Sequence, residues 1–151
     1  NGLLALLRQP DQLERLRRER ARIPDAVEEL LRFDSPLQWV HRECAADMRV
    51  GELELPEASQ VHVCLGAANR DPRAFANPNK IDVTRPDIPH LSFSSGAYFC
   101  LGASLARLEA HEAFNALLDR FPKIELAATP TFKPNPHFRG LEGLEIEVRA
   151  R

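Results

Sequence analysis

Leu3, Leu4, Leu6 and Leu7 cluster on one side of a helical turn, and Pro10 follows within three residues. That pattern predicts a short helix ended by the proline, with Asp11 capping a second helix through Leu13 and Leu16. Pro24 occupies a favoured first-turn position, and Ala26, Val27, Leu30, Leu31 and Phe33 form the apolar stripe of a third helix ended by Ser35-Pro36. The spacing then switches to alternation, which predicts strands over 37 to 44, 48 to 55 and 60 to 65, punctuated by Gly51 and Pro56. From Ala67 to Ser95 no period is sustained, and prolines stand at 72, 78, 86 and 89. A loop of that length inside a compact domain usually has a function. Leu101, Leu105, Leu108, Phe114, Leu117, Leu118 and Phe121 return to helical spacing and predict the longest helix, about 101 to 120. KIELA and GLEIEVR then alternate as strands. The alternation of helices with short strands predicts a mainly α chain with small β-sheets, an α+β class.

Composition narrows the function more than the fold. The 151 residues are 44% hydrophobic and 28% charged, the balance of a domain that buries a core. A net charge of -2 argues against a nucleic-acid partner, which needs a clustered basic surface. The one basic cluster, RLRRERARI at 15 to 23, is broken by Glu19 and reads as a solvated helix face. No run of ~18 apolar residues is present and no signal peptide is recognisable, so the expectations are no membrane partner and a cytoplasmic location. The chain opens at Asn1 in mid-helix pattern without an initiator methionine, as though cut from something longer.

Three cysteines, Cys44, Cys64 and Cys100, fit neither a disulfide framework nor paired zinc knuckles, and at least two are expected to be buried thiols. Cys100 differs, because it stands where a small-residue loop meets the longest helix. Unpaired amides and the helix dipole favour a thiolate there. Flanking Gly96 and Gly102 allow a tight bend and close approach of something flat or bulky. Three readings stay open on spacing alone. Cys100 is a buried structural residue, a nucleophile with His41, His62, His90 or His111 as base, or a ligand to a metal or cofactor.

The stretch FSSGAYFCLG at 93 to 102 resembles the cysteine signature of the cytochrome P-450 family, Phe-x-x-Gly-x-(His or Arg)-x-Cys-x-Gly, extended by Leu-Ala-Arg at 105 to 107. The resemblance implies that Cys100 is the proximal thiolate of haem b, that Phe93 packs beside the sulfur, and that Gly96 and Gly102 make room for the ring. Arg42 in VHREC resembles the family's propionate-binding arginine. Tyr98 stands where the signature has His or Arg, and a phenol offers one hydrogen bond without positive charge, which implies weaker haem retention. Glu29 and Arg32 look like the family's Glu-x-x-Arg helix, and Arg85 resembles the third member of its Glu-Arg-Arg network, pinning the long loop to the third helix. Lys80 and Ile81 replace a common Arg and Phe. GAANRDP, FANP and RGLEGLEI look like structural family stretches.

The resemblance spans essentially all of residues 1 to 151 yet covers only the C-terminal part of the P-450 fold. It implies a parent monooxygenase that takes electrons from a ferredoxin or reductase and places one oxygen atom into a small organic substrate. The oxygen-activating helix is not encoded, so little or no turnover is expected of this portion by itself. The alternative is a non-catalytic domain that keeps the fold with Cys100 merely buried.

Overall fold

A computed structural model describes residues 1 to 149. Helices α1 (Gly2–Leu7), α2 (Pro10–Arg18) and α3 (Ile23–Phe33) come first, and a 3-10 turn at Arg20–Arg22 joins the last two. Pro10 does not stop α1 from outside; it is the first residue of α2, where its missing N–H costs nothing, and Asp11 lies in the first turn rather than at the cap. Pro24 is the second residue of α3, likewise in the first turn. The core joins Ala5 and Leu6 of α1, Leu13 and Leu16 of α2, and Ile23, Ala26, Val27 and Leu30 of α3 to Ile81, Val83 and Leu118. Ile81, a departure from the family pattern, is therefore an ordinary core residue.

The basic stretch at 15 to 23 is not simply a solvated face. Arg17 Nη1 donates to the carbonyls of Leu118 (3.0 Å) and Phe121 (2.9 Å), and Arg20 pairs with Asp119 at 3.0 Å. The last carbonyls of a helix lack internal donors, and a nearby arginine supplies them. Helix α5 (Ala103–Arg120) is thus capped by a side chain about a hundred residues upstream.

Three two-stranded antiparallel sheets follow the helices: β1 (Val40–Glu43) with β4 (Gln60–Val63), β2 (Met48–Val50) with β3 (Leu53–Leu55), and β5 (Lys123–Leu126) with β6 (Ile146–Arg149). The region expected to be one strand over 48 to 55 is a hairpin, turned at Gly51, whose φ of +59° favours glycine. The register sets His41 opposite His62 and Arg42 opposite Val61.

The long irregular loop begins after the short helix α4 (Leu65–Ala68) and is ordered by buried polar contacts as well as by the core side chains Ile81 and Val83. Asn69 donates to the Ser92 hydroxyl (2.9 Å) and accepts the Leu91 amide (2.7 Å), so the start and end of the loop are tied together. Ser92 in turn donates to the Leu31 carbonyl at 2.7 Å, fastening the tie to α3. Buried polar groups keep their cost low only when paired, and these are.

Candidate functional site

Cys100 closes a loop whose geometry is set by its own backbone. The Cys100 amide donates to the Phe93 carbonyl at 2.9 Å, and the Phe99 amide donates to the Gly96 carbonyl at 3.1 Å. The turn needs two residues of positive φ, Gly96 at 64° and Ser94 at 62°. Glycine adopts that region freely, whereas serine there costs about 1–3 kcal/mol, strain of the kind found at functional loops. Helix α5 starts at Ala103 rather than 101, so the cysteine lies two residues before the Gly102 cap.

The thiol is exposed, as is that of Cys64, and only Cys44 is buried. The expectation of two buried thiols is corrected accordingly. Cys100 is thus not among the buried residues of this chain. The nucleophile reading lacks its base: among the described residues no histidine hydrogen-bonds the Cys100 sulfur, His90 is engaged by Glu28, and His41 lies against His62 with ring centres 5.2 Å apart.

Around the sulfur lies apolar surface that this chain leaves uncovered. Phe99 and Leu101 of the loop and Leu105 and Leu108 of α5 are exposed, at the i, i+4, i+7 spacing that had looked like core. The other side of α5, through Ala110, Phe114 and Leu118, packs on the core. Large apolar side chains exposed together along a loop and one helix side mark surface that something else covers. Gly102 has an ordinary φ of -84°, so its backbone does not require glycine, and a Cβ built there would meet nothing within 4 Å. The backbone there faces open space that a flat group could occupy. Among the described residues no cluster of three or more His, Cys, Asp or Glu could hold a bare ion. A single soft thiolate suits a metal whose other positions a macrocycle fills. These features fit a haem.

Arg42 and Tyr98, picked out separately in the sequence, meet: the Arg42 guanidinium sits 4.4 Å from the centre of the Tyr98 ring. Tyr98 is exposed, and the stack holds a cation and a phenol together near the cysteine loop. Phe93 is half-buried, with the Arg107 guanidinium 4.7 Å from its ring centre and the rings of His90 and Phe99 beyond.

Glu29 lies wholly inside. Arg32 Nε and Nη2 grip its two oxygens at 2.7 and 2.9 Å, and Arg85 Nε adds a third contact at 3.1 Å. Arg32 also donates to the carbonyls of Asn69, Pro78 and Lys80, and Arg85 donates to that of Ala76. The carboxylate thus anchors the proline-rich loop to α3. Lys80 contributes only its backbone, which explains why an Arg is not required there.

Sequence reading missed a second anchor, Glu28, the neighbour of Glu29 on α3. Arg107 holds it by a fork, Nε to Oε1 at 2.7 Å and Nη2 to Oε2 at 2.8 Å, and His90 Nε2 lies 3.1 Å from Oε2. The available signal was the Leu-Ala-Arg extension ending in Arg107. Burial by itself would raise the Glu28 carboxyl, but the hydrogen bonds from Arg107 and His90 and the charge of Arg107 outweigh it and hold the group at about 2, against 4.5 unperturbed. A depressed folded-state value stabilises above the unfolded value, and the gain disappears as pH falls from 4.5 towards 2. The stability gap between the wild type and Glu28→Gln, measured by urea midpoints, is therefore expected to narrow over that window. A gap independent of pH would contradict the assignment.

Fold and site together define a class, and comparison with known proteins agrees. The family profile described as Cytochrome P450 matches residues 1–141, and the chain belongs to that family. Membership implies a haem cofactor. The biotin biosynthesis cytochrome P450 of Bacillus subtilis (strain 168) is 46% identical over 147 residues, 97% of this chain and 37% of that protein. The 6-deoxyerythronolide B hydroxylase of Saccharopolyspora erythraea is 40% identical over 150 residues, again 97% of this chain and 37% of the relative. Among solved structures, P450BioI in complex with hexadec-9Z-enoic acid ligated acyl carrier protein superposes with a TM-score of 0.96 at 45% identity, covering 99% of this chain and 39% of that one. The tirandamycin C-bound P450 monooxygenase TamI gives 0.94 at 42% identity, covering 99% of this chain and 38% of the other. This chain therefore spans less than two fifths of the length of these relatives.

Proposed function

We propose that this chain is the thiolate-bearing, C-terminal portion, residues 1 to 151, of a haem b monooxygenase, with Cys100 as the axial ligand. The observation that carries the reading is an exposed thiol at the end of a self-closed loop, bordered by open apolar surface. When bound, such a haem supplies oxygen activation and insertion of one oxygen atom into an organic substrate, its thiolate ligand favouring O–O cleavage.

The chain's own residues divide the remaining work. Cys100, two residues before the Gly102 cap of α5, would supply the sulfur that binds the iron. Phe93 supports the cysteine loop through its carbonyl, which accepts the Cys100 amide. Arg42 by its charge and Tyr98 by its hydroxyl would hold a haem propionate. Gly96 allows the turn and Gly102 keeps the ring's approach open. Glu29, Arg32 and Arg85 carry no chemistry; they keep the proline-rich loop on α3.

The substrate is a small organic molecule, and the electrons come from a ferredoxin or reductase. No helix among the described residues is long and apolar enough to cross a membrane, and a cytoplasmic setting suits such a donor. The intact, haem-loaded protein, reduced under carbon monoxide, is expected to show the red-shifted Soret band for which the family is named. Haem uptake with an unshifted band would overturn the ligand assignment.

A further inference from the structure

We propose that Glu28, His90 and Arg107 form a positioning clamp that fixes the cysteine loop through Phe93, so that Cys100 presents its sulfur in one orientation. The proposal rests on the reading of Cys100 as the haem ligand and adds residues that never touch it.

Three segments far apart in the chain meet on one carboxylate. Glu28 comes from α3, Arg107 from the first turns of α5, and His90 from the end of the long loop, 62 residues from Glu28 in sequence. The His90 side chain is only 2% exposed. Its Nδ1 accepts the Ser92 amide at 3.1 Å, which leaves Nε2 to carry the hydrogen and donate to Glu28. Both ring nitrogens are thereby used, and the imidazole cannot turn without losing a bond. Arg107 is held by two parallel bonds, which fixes the plane of its guanidinium as well as its position.

That plane and the His90 ring both bear on Phe93, at 4.7 and 5.7 Å from its ring centre. Phe93 passes the constraint to the cysteine by its backbone, because its carbonyl accepts the Cys100 amide. Consecutive carboxylates on α3 thus divide the labour. Glu29 binds the loop through Arg32 and Arg85, and Glu28 binds the cysteine loop through Arg107 and His90. Neither of the Glu28 partners contacts the Glu29 set through any hydrogen bond among the described residues.

The test uses the intact protein with Glu28→Gln and, as a second variant, Arg107→Lys, which keeps the charge but loses the fork. Hydrogen exchange at the Cys100 and Phe99 amides is expected to quicken about tenfold in both, as befits loss of a charge-assisted bond, with core amides of Leu30 and Leu118 unchanged. In the haem-loaded variants the share of the carbon monoxide complex with a red-shifted band is expected to fall. Unchanged exchange at Cys100, or equal acceleration at the core amides, would overturn the clamp. The two readings separate cleanly. A red-shifted wild-type band with unmoved Cys100 exchange in Glu28→Gln removes the clamp and keeps the ligand. Quickened exchange with no red-shifted wild-type band keeps the mechanical clamp and removes the ligand.

Discussion

Glu29→Ala is expected to cost about 3–5 kcal/mol of stability, a large share of the roughly 5–15 kcal/mol a domain has to lose. Glu29 is wholly buried and Arg32 is 1% exposed, so removing the carboxylate leaves a guanidinium inside with no anion to balance it. The carbonyls of Asn69, Pro78 and Lys80 still accept from Nη1 and Nη2 but carry no net charge, and Nε, which bonds only Glu29, loses its partner. Arg85, 12% exposed at its side chain, swings towards water and releases the Ala76 contact. The proline-rich loop then loses its hold on α3. Denaturant midpoints measure the change, and a loss below about 1 kcal/mol would contradict it. Replacing Glu29 and Arg32 together by leucine and methionine is expected to cost less than the sum of the single changes, because no charge is then stranded.

Cys100→Ser has little to do with stability and much to do with haem. The residue is exposed, its amide bond to Phe93 survives the exchange, and serine is close in size. A denaturant midpoint within about 0.5 kcal/mol of the wild type is expected. Haem affinity is expected to fall by roughly a hundredfold or more, since altering residues that merely orient a metal ligand already costs 10–100-fold. The red-shifted carbon monoxide band should vanish entirely. Wild-type affinity in the serine variant would place the haem's anchor elsewhere.

These two substitutions also mark what the sequence made legible. The stripe of α3 is strong, and the Glu-x-x-Arg spacing on it pointed to the buried pair. The Cys100 loop was legible because its residue types are unusual together. Periodicity could not say what covers an apolar face: Leu101, Leu105 and Leu108 follow the same rhythm as Leu118, yet they are exposed while Leu118 is buried. A helix with two apolar sides packs one and offers the other. Long-range side-chain contacts were the least legible. Arg17 reaches the end of α5 across 101 residues, and Arg107 reaches Glu28 across 79, and neither distance leaves a local pattern. Gly51 was read as punctuation within a strand because alternation continues on both sides of it; only its positive φ reveals the hairpin. The meeting of Arg42 with Tyr98 depends on where β1 lies against the cysteine loop, which no spacing encodes.

The central claim is that one sulfur of this chain bonds to iron, and X-ray absorption at the iron edge observes that bond. In the intact, haem-loaded wild type the first shell is expected to contain a single sulfur neighbour that is missing in Cys100→Ser. A wild-type shell of nitrogen and oxygen atoms alone would contradict it.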